Sequence, residues 1–174
     1  MFSQNHKISK NDGFTFIELV VVLGFALLIT GVLVVAIDPQ AILAKSRDAQ
    51  RVKDLDELSK AIRLSLSEGE VSLVDTNGCE DCTSVSGFPK SDGAGWVKFR
   101  ILEDRVGLAK FLSVLPLDPS NEDPYIYTFI SDEKTQMYKI ITKLESPENA
   151  NRMRLDGGTD LEMYEVGTGL SLEQ

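Results

Sequence analysis

The chain has 174 residues, which is room for one domain and a separate N-terminal helix. Its formal net charge is −9, and this acidic balance argues against a nucleic-acid-binding surface. The only histidine is His6, and no Ser-centred elbow motif or glycine-rich phosphate loop is present, so we do not expect an enzyme.

The first predicted element is a long apolar helix. The motif Gly13-Phe14-Thr15-Phe16-Ile17-Glu18 leads into an apolar run from Leu19 to Ile37, in which Thr30 is the one polar residue. A helix over residues 14–37 would extend roughly 36 Å, against about 30 Å for a bilayer core. The run is too long for a signal-peptide apolar region, and no small-x-small cleavage site follows it. We therefore predict a retained transmembrane helix.

Glu18 is an unusual residue for this segment. It lies one turn inside the apolar run, where an ionised carboxylate costs several kcal/mol unless it is paired or lies at the interface. Two explanations stay open: the side chain reaches the lipid headgroups, or it pairs with a positive charge.

The order of these residues resembles the processing site of type IV pilins and of the pseudopilins of type II secretion. That family has a short basic leader, a glycine, then Phe-Thr-Leu-Ile-Glu and an apolar helix. The matching features here are Lys7 and Lys10, then Gly13, then the motif residues after it, with Phe16 standing where leucine is usual.

This resemblance implies a leader over residues 1–13, cleavage between Gly13 and Phe14 by a prepilin peptidase, and N-methylation of Phe14. It also implies that Glu18 pairs with the Phe14 amine of a neighbouring subunit and sets the axial register. The implied partners are the lipid bilayer, other copies of the chain or related pilins, a membrane platform protein and a motor ATPase. The implied location is the cytoplasmic membrane, single-pass with the leader in the cytoplasm, and then an extracellular or cell-envelope filament.

Residues 38–68 form the next predicted element, an amphipathic helix. Pro39 either kinks the helix or ends it so that a new one restarts, and we predict a kinked, nearly continuous rod. Apolar residues recur at spacings near three and four, which predicts one face for a domain to pack on: Ile42, Ala49, Val52, Leu55, Leu58, Ile62 and Leu66. Gly69 is the predicted stop.

Residues 69–174 are predicted to form a globular head, and its first part, 71–95, is rich in loop-forming residues. This predicted loop holds Cys79 and Cys82. They are too few for a structural zinc site, and the βαβ context of a redox site is missing. A local disulfide is expected in an oxidising compartment, with free thiols as the alternative.

The rest of the head predicts a short helix over 105–115 and antiparallel strands near 125–130, 137–144 and 163–166. The predicted fold class is therefore α+β, with the long N-terminal helix packed against a small antiparallel sheet, as in the pilin fold.

A second resemblance lies in Leu115-Pro116-Leu117-Asp118-Pro119 and Tyr125-Ile126-Tyr127, which are similar to a segment of major pseudopilins. That family often coordinates calcium in its C-terminal loops, and the matching candidates are Asp156 and Asp160. The spacing is not that of an EF-hand and favours a solvated acidic turn over a calcium site.

The sequence as a whole therefore predicts a structural filament subunit, a pilin or pseudopilin. The alternative is an uncleaved single-pass, signal-anchored surface protein with an acidic ectodomain, for which calcium binding stays open.

Overall fold

The computed structural model describes residues 13–172. The fold is α+β, with an N-terminal apolar helix followed by small antiparallel sheets. The chain divides into two compact units, residues 1–40 and 41–174. Most of the predicted leader, with Lys7, Lys10 and His6, lies outside the described residues.

Two helices follow each other at the start of the described chain. α1 runs over Phe16–Ile37 and α2 over Pro39–Ser67. Between them, Asp38 has φ 46° and ψ 80°, a left-handed conformation that no helix contains. The proline disfavours a helical conformation at the residue before it and lacks an N–H, which suits the first position of a new helix. The helix therefore ends and restarts, where we had expected a nearly continuous rod.

α2 supplies one side of the hydrophobic core of residues 41–174. Its buried apolar residues recur along one face and join one cluster with the sheet: Val52, Leu55, Leu58 and Ile62 with Tyr127, Phe129, Tyr138 and Ile140. After α2, Gly69 adopts φ 65°. The Gly69 amide donates to the Leu66 carbonyl and the Glu70 amide to the Ser65 carbonyl, which is the Schellman arrangement.

The strands form two antiparallel sheets. β1 (Val71–Leu73) pairs with β2 (Phe99–Ile101). β3 (Thr128–Asp132), β4 (Met137–Thr142) and β5 (Tyr164–Gly167) form a second sheet in the order β3-β4-β5. Two short 3₁₀ helices, Gly107–Lys110 and Pro147–Asn149, and α3 (Ala150–Arg154) connect them.

Several elements differ from expectation in extent. The loop predicted over 71–95 begins with strand β1, and the helix predicted over 105–115 is a single four-residue 3₁₀ helix. The strand predicted over 125–130 is shifted to 128–132, because the turn that follows it lies later. Asp132 Oδ1 accepts hydrogen bonds from the Thr135 amide and hydroxyl, each 2.7 Å, and so places the turn at residues 133–136.

Groups of the chain itself cover backbone donors on both outer edges of the three-stranded sheet. On the β3 side, segment 76–84 accepts hydrogen bonds from the amides of Tyr127, Phe129 and Ser131. On the β5 side, Asp156 Oδ2 accepts from the Glu165 amide at 2.7 Å. Amides that already have partners make strand-to-strand association at these positions less favourable than at an open edge.

Candidate functional site

The predicted processing site is an accessible stretch that precedes α1. Gly13 is exposed, and a Cβ added there would meet no atom within 4 Å. The Phe14 side chain is 86% exposed. Packing among the described residues therefore does not require a glycine at position 13. Both predicted cleavage residues are accessible to another protein.

Glu18 has a partner within its own chain, because Thr15 and Glu18 form a capping box at the start of α1. Thr15 Oγ1 accepts a hydrogen bond from the Glu18 amide at 3.3 Å. In return, Glu18 Oε2 accepts from the Thr15 amide at 3.0 Å and from the Thr15 hydroxyl at 2.9 Å. The pair satisfies backbone donors that the first helical turn otherwise leaves open.

The capping role of Thr15 was not predicted, although the sequence contains a signal for it. Thr-x-x-Glu directly before an apolar run is the sequence signature of a capping box. Gly13 and Phe14 directly precede Thr15, whose capping box with Glu18 begins α1.

The described side chains of α1 form an apolar, exposed surface. Every side chain from Phe16 to Leu33 is exposed, and these 18 residues have a mean hydropathy of 2.6. The Thr30 hydroxyl donates to the Ala26 carbonyl at 2.8 Å, so its polar group is satisfied within the helix. The helix is long and apolar enough to cross a membrane.

A buried ion cluster joins the head to the first half of α2. Its members are Arg47, Asp48, Arg51, Asp118 and Glu145. Arg51 has no exposed side-chain surface and binds Asp118 with two hydrogen bonds, Nε to Oδ2 at 2.6 Å and Nη2 to Oδ1 at 2.9 Å. Its Nη1 contacts Asp48 Oδ1 at 3.0 Å and Glu145 Oε1 at 2.6 Å. Arg47 binds the same Glu145 with two hydrogen bonds. Asp118 is the acidic residue of the Leu-Pro-x-Asp-Pro segment, which the cluster joins to the helix.

Charge compensation in this cluster alters three pKa values, and the hydrogen bond with Glu145 raises that of Arg47. Burial by itself lowers the pKa of Arg51, but the hydrogen bonds and charges of Asp118 and Glu145 outweigh it and raise the pKa above its usual value. The hydrogen bond from Arg47, followed by that from Arg51, lowers the pKa of Glu145 to about 2. The ionised forms of Arg47, Arg51 and Glu145 are therefore favoured, and the cluster holds α2 and the loops together.

Cys79 and Cys82 are joined by a disulfide in the structure. Cys82 is buried, at 2% exposure, and Cys79 is half-buried. Asp81 lies between them and binds Lys98 Nζ at 2.7 Å. Within residues 13–172, Cys79, Asp81 and Cys82 are the only clustered group of potential metal-binding side chains, and the bonded sulfurs offer no thiolate.

The two calcium candidates make hydrogen bonds to nearby backbone amides. Asp156 Oδ1 accepts from the Gly158 amide at 2.8 Å, and its Oδ2 accepts from the Glu165 amide at 2.7 Å. Asp160 Oδ1 accepts from the Glu162 amide at 2.9 Å. The structure does not bring Asp156 and Asp160 together with a third acidic side chain into a compact ligand group among the described residues. These local hydrogen bonds shape the loop, and that of Asp156 also covers one outer amide of β5.

We compared the chain with known protein families, proteins and structures. No protein-family model, curated protein or solved structure matches the chain.

Proposed function

We infer that the chain is a filament subunit of the pilin or pseudopilin type, cut after Gly13, methylated at Phe14 and assembled through α1. The observation that carries this proposal is the motif Gly13 to Glu18, which is accessible and lies at the start of an apolar helix whose side chains from Phe16 to Leu33 are exposed. Lipid would cover that surface first, and the same helices of neighbouring subunits would cover it in the filament.

The head supports this mode of assembly. Its buried charges are compensated within the chain, and amides on both outer edges of its three-stranded sheet already have partners. Assembly by strand addition is therefore disfavoured at this sheet. Filament growth would draw on a platform protein and a motor ATPase as partners.

Intact mass and N-terminal sequencing of the membrane-recovered protein test the processing step. We expect wild type to begin at Phe14 and to carry one added methyl group. A Gly13→Leu variant should stay heavier by the thirteen leader residues, because a Cβ prevents close approach of an extended backbone in a protease cleft. Gly24→Leu is the matched control, since Gly24 lies in equally open space within α1 and should be processed normally. A native protein that still begins at Met1 would refute the proposal.

Two substitutions at Glu18 separate its two roles. Glu18→Gln keeps an oxygen that accepts the Thr15 amide, since glutamine also serves in capping boxes, but it removes the charge. Glu18→Ala removes both. We expect both variants to lose the leader normally and to give fewer filaments or unmethylated ones, because the proposed partner is the Phe14 amine of a neighbour. Normal filaments from Glu18→Gln would leave Glu18 only its capping role.

The capping box also fits a second function, that of an uncleaved surface protein anchored by α1. Because Thr15 already satisfies the Glu18 carboxylate, an uncleaved, signal-anchored surface protein would not need a second subunit to hold it. In that case Gly13→Leu would leave the recovered mass unchanged apart from the substituted side chain.

A further inference from the structure

The outer edge of β3 has an alternating hydrogen-bond pattern. The amides of Tyr127, Phe129 and Ser131 point away from β4 and bond to segment 76–84. Since alternate residues of an antiparallel strand face opposite neighbours, the amides of Thr128 and Ile130 face β4. The segment therefore stands where a fourth strand would stand.

Three residues of the segment provide the contacts. Ser84 Oγ accepts from the Tyr127 amide at 3.0 Å, the Cys82 carbonyl from the Phe129 amide at 2.9 Å, and Thr76 Oγ1 from the Ser131 amide at 2.8 Å. The segment is not a regular strand, because residues 77–81 leave the edge and return to it at Cys82.

The disulfide joins Cys79, inside the excursion of residues 77–81 from the edge of β3, to Cys82, where the segment returns to that edge. The Cys79 amide donates to the Thr76 carbonyl at 3.0 Å, so Cys79 is tied to the first contact point. Cys82 is itself the second contact point. The bond between their sulfurs closes the excursion from one contact to the other.

We propose that the Cys79–Cys82 disulfide is a redox-controlled latch that holds segment 76–84 over the outer edge of β3. In the oxidised protein the edge is closed, and in the reduced protein the segment opens locally and exposes the three amides. The switch is separate from the filament proposal, because it depends only on contacts within residues 76–131.

The chemistry of opening is thiol–disulfide exchange with a dithiol. A thiolate of the dithiol attacks the Cys79 sulfur, which is the more exposed of the two, and the Cys82 sulfur leaves with the electron pair and takes up a proton. The second thiol of the reductant then attacks the mixed disulfide and releases Cys79. The protein gains two electrons and two protons, and the reductant becomes a cyclic disulfide.

Residue-resolved amide hydrogen exchange on the full chain in detergent tests the latch. The samples are oxidised wild type, wild type reduced with dithiothreitol, and a Cys79→Ser/Cys82→Ser variant that cannot close. For so short a loop, closure entropy predicts roughly 20-fold faster exchange at Tyr127, Phe129 and Ser131 when the bond is open. Thr128 and Ile130 are internal controls and should keep their oxidised rates.

The exchange rates in the two open samples test the proposed latch. Faster exchange at the three edge amides alone, in both open samples, supports the latch. Unchanged rates in both open samples would overturn it, because the segment would then be held by its own hydrogen bonds and by the Asp81–Lys98 ion pair. Equal acceleration at Thr128 and Ile130 would overturn it as well, since the bond would then stabilise the whole sheet.

Discussion

Replacing Arg51 by methionine tests how much the buried ion cluster stabilises the head. Arg51 makes five polar contacts within 3.2 Å, two with Asp118 and one each with Asp48, Glu145 and Ser120. Methionine keeps much of the side-chain volume but no donor. Two cations and three carboxylates then become one cation and three carboxylates, so the local charge changes from −1 to −2.

The remaining contacts of the three carboxylates set the size of the effect. Removing one partner of a buried ion pair costs about 3–5 kcal/mol. Asp118 keeps the amides of Ser120 and Asn121, and Glu145 keeps Arg47. Because no carboxylate is left without a donor, we expect the lower end of that range, a loss of about 3 kcal/mol in the free energy of unfolding.

Urea unfolding of residues 41–174 measures this loss, with the fluorescence of Trp96 as the probe. Trp96 is the single tryptophan and is fully buried, so its emission reports exposure of the core. At a slope of about 1.5 kcal/mol per molar urea, the midpoint should fall by about 2 M. Arg63→Met, at an exposed position of the same helix, is the control and should shift it by less than about 0.3 M. A loss below about 1 kcal/mol for Arg51→Met would refute the reasoning, because a surface ion pair contributes that much.

Two further predictions concern pH and calcium. The folded pKa of Glu145 is about 2 against an ordinary 4.5, so its ionised form stabilises the fold above pH 4.5, and this contribution disappears as the pH falls toward 2. Between those pH values, wild type should lose about 3 kcal/mol more than Glu145→Gln in urea titrations, and parallel losses would contradict the assigned hydrogen bonds. For calcium, a chelator should leave the melting temperature of residues 41–174 unchanged, since backbone amides already occupy Asp156 and Asp160. A rise in melting temperature on adding calcium would show a site.

Local patterns in the sequence predict several parts of the fold. The apolar run predicts α1, the three- and four-residue spacing predicts the buried face of α2, and Gly69 predicts its end. Each of these signals lies within one continuous stretch of the chain, where residues a few positions apart carry the pattern. The capping box of Thr15 and Glu18 belongs to the same class, because its partners are three residues apart.

Contacts between distant segments could not be predicted in this way. From the sequence, Arg51 is one of several charged residues on the polar face of an amphipathic helix. It can be buried because Asp118, 67 residues later, binds it. The sequence of β1 resembles part of a polar loop, and it becomes a strand only because β2 pairs with it, with Ser72 opposite Arg100, 28 residues later. No local periodicity encodes such pairings, so the sequence alone missed the cluster and the first strand.

The two units of the chain differ in how their surfaces are satisfied, and this difference is the physical basis of the assembly proposal. Within residues 41–174, a buried arginine binds carboxylates of the same unit, and backbone amides on both outer edges of the three-stranded sheet have partners. In α1, by contrast, the side chains of eighteen consecutive residues, Phe16 to Leu33, are exposed in the described part of the chain. Apolar surface costs about 25 cal/mol for each Å² left in water, and patches beyond a few hundred Å² mark contact sites. A surface of that kind requires lipid or another apolar helix, so association between copies should depend on α1 far more than on the head.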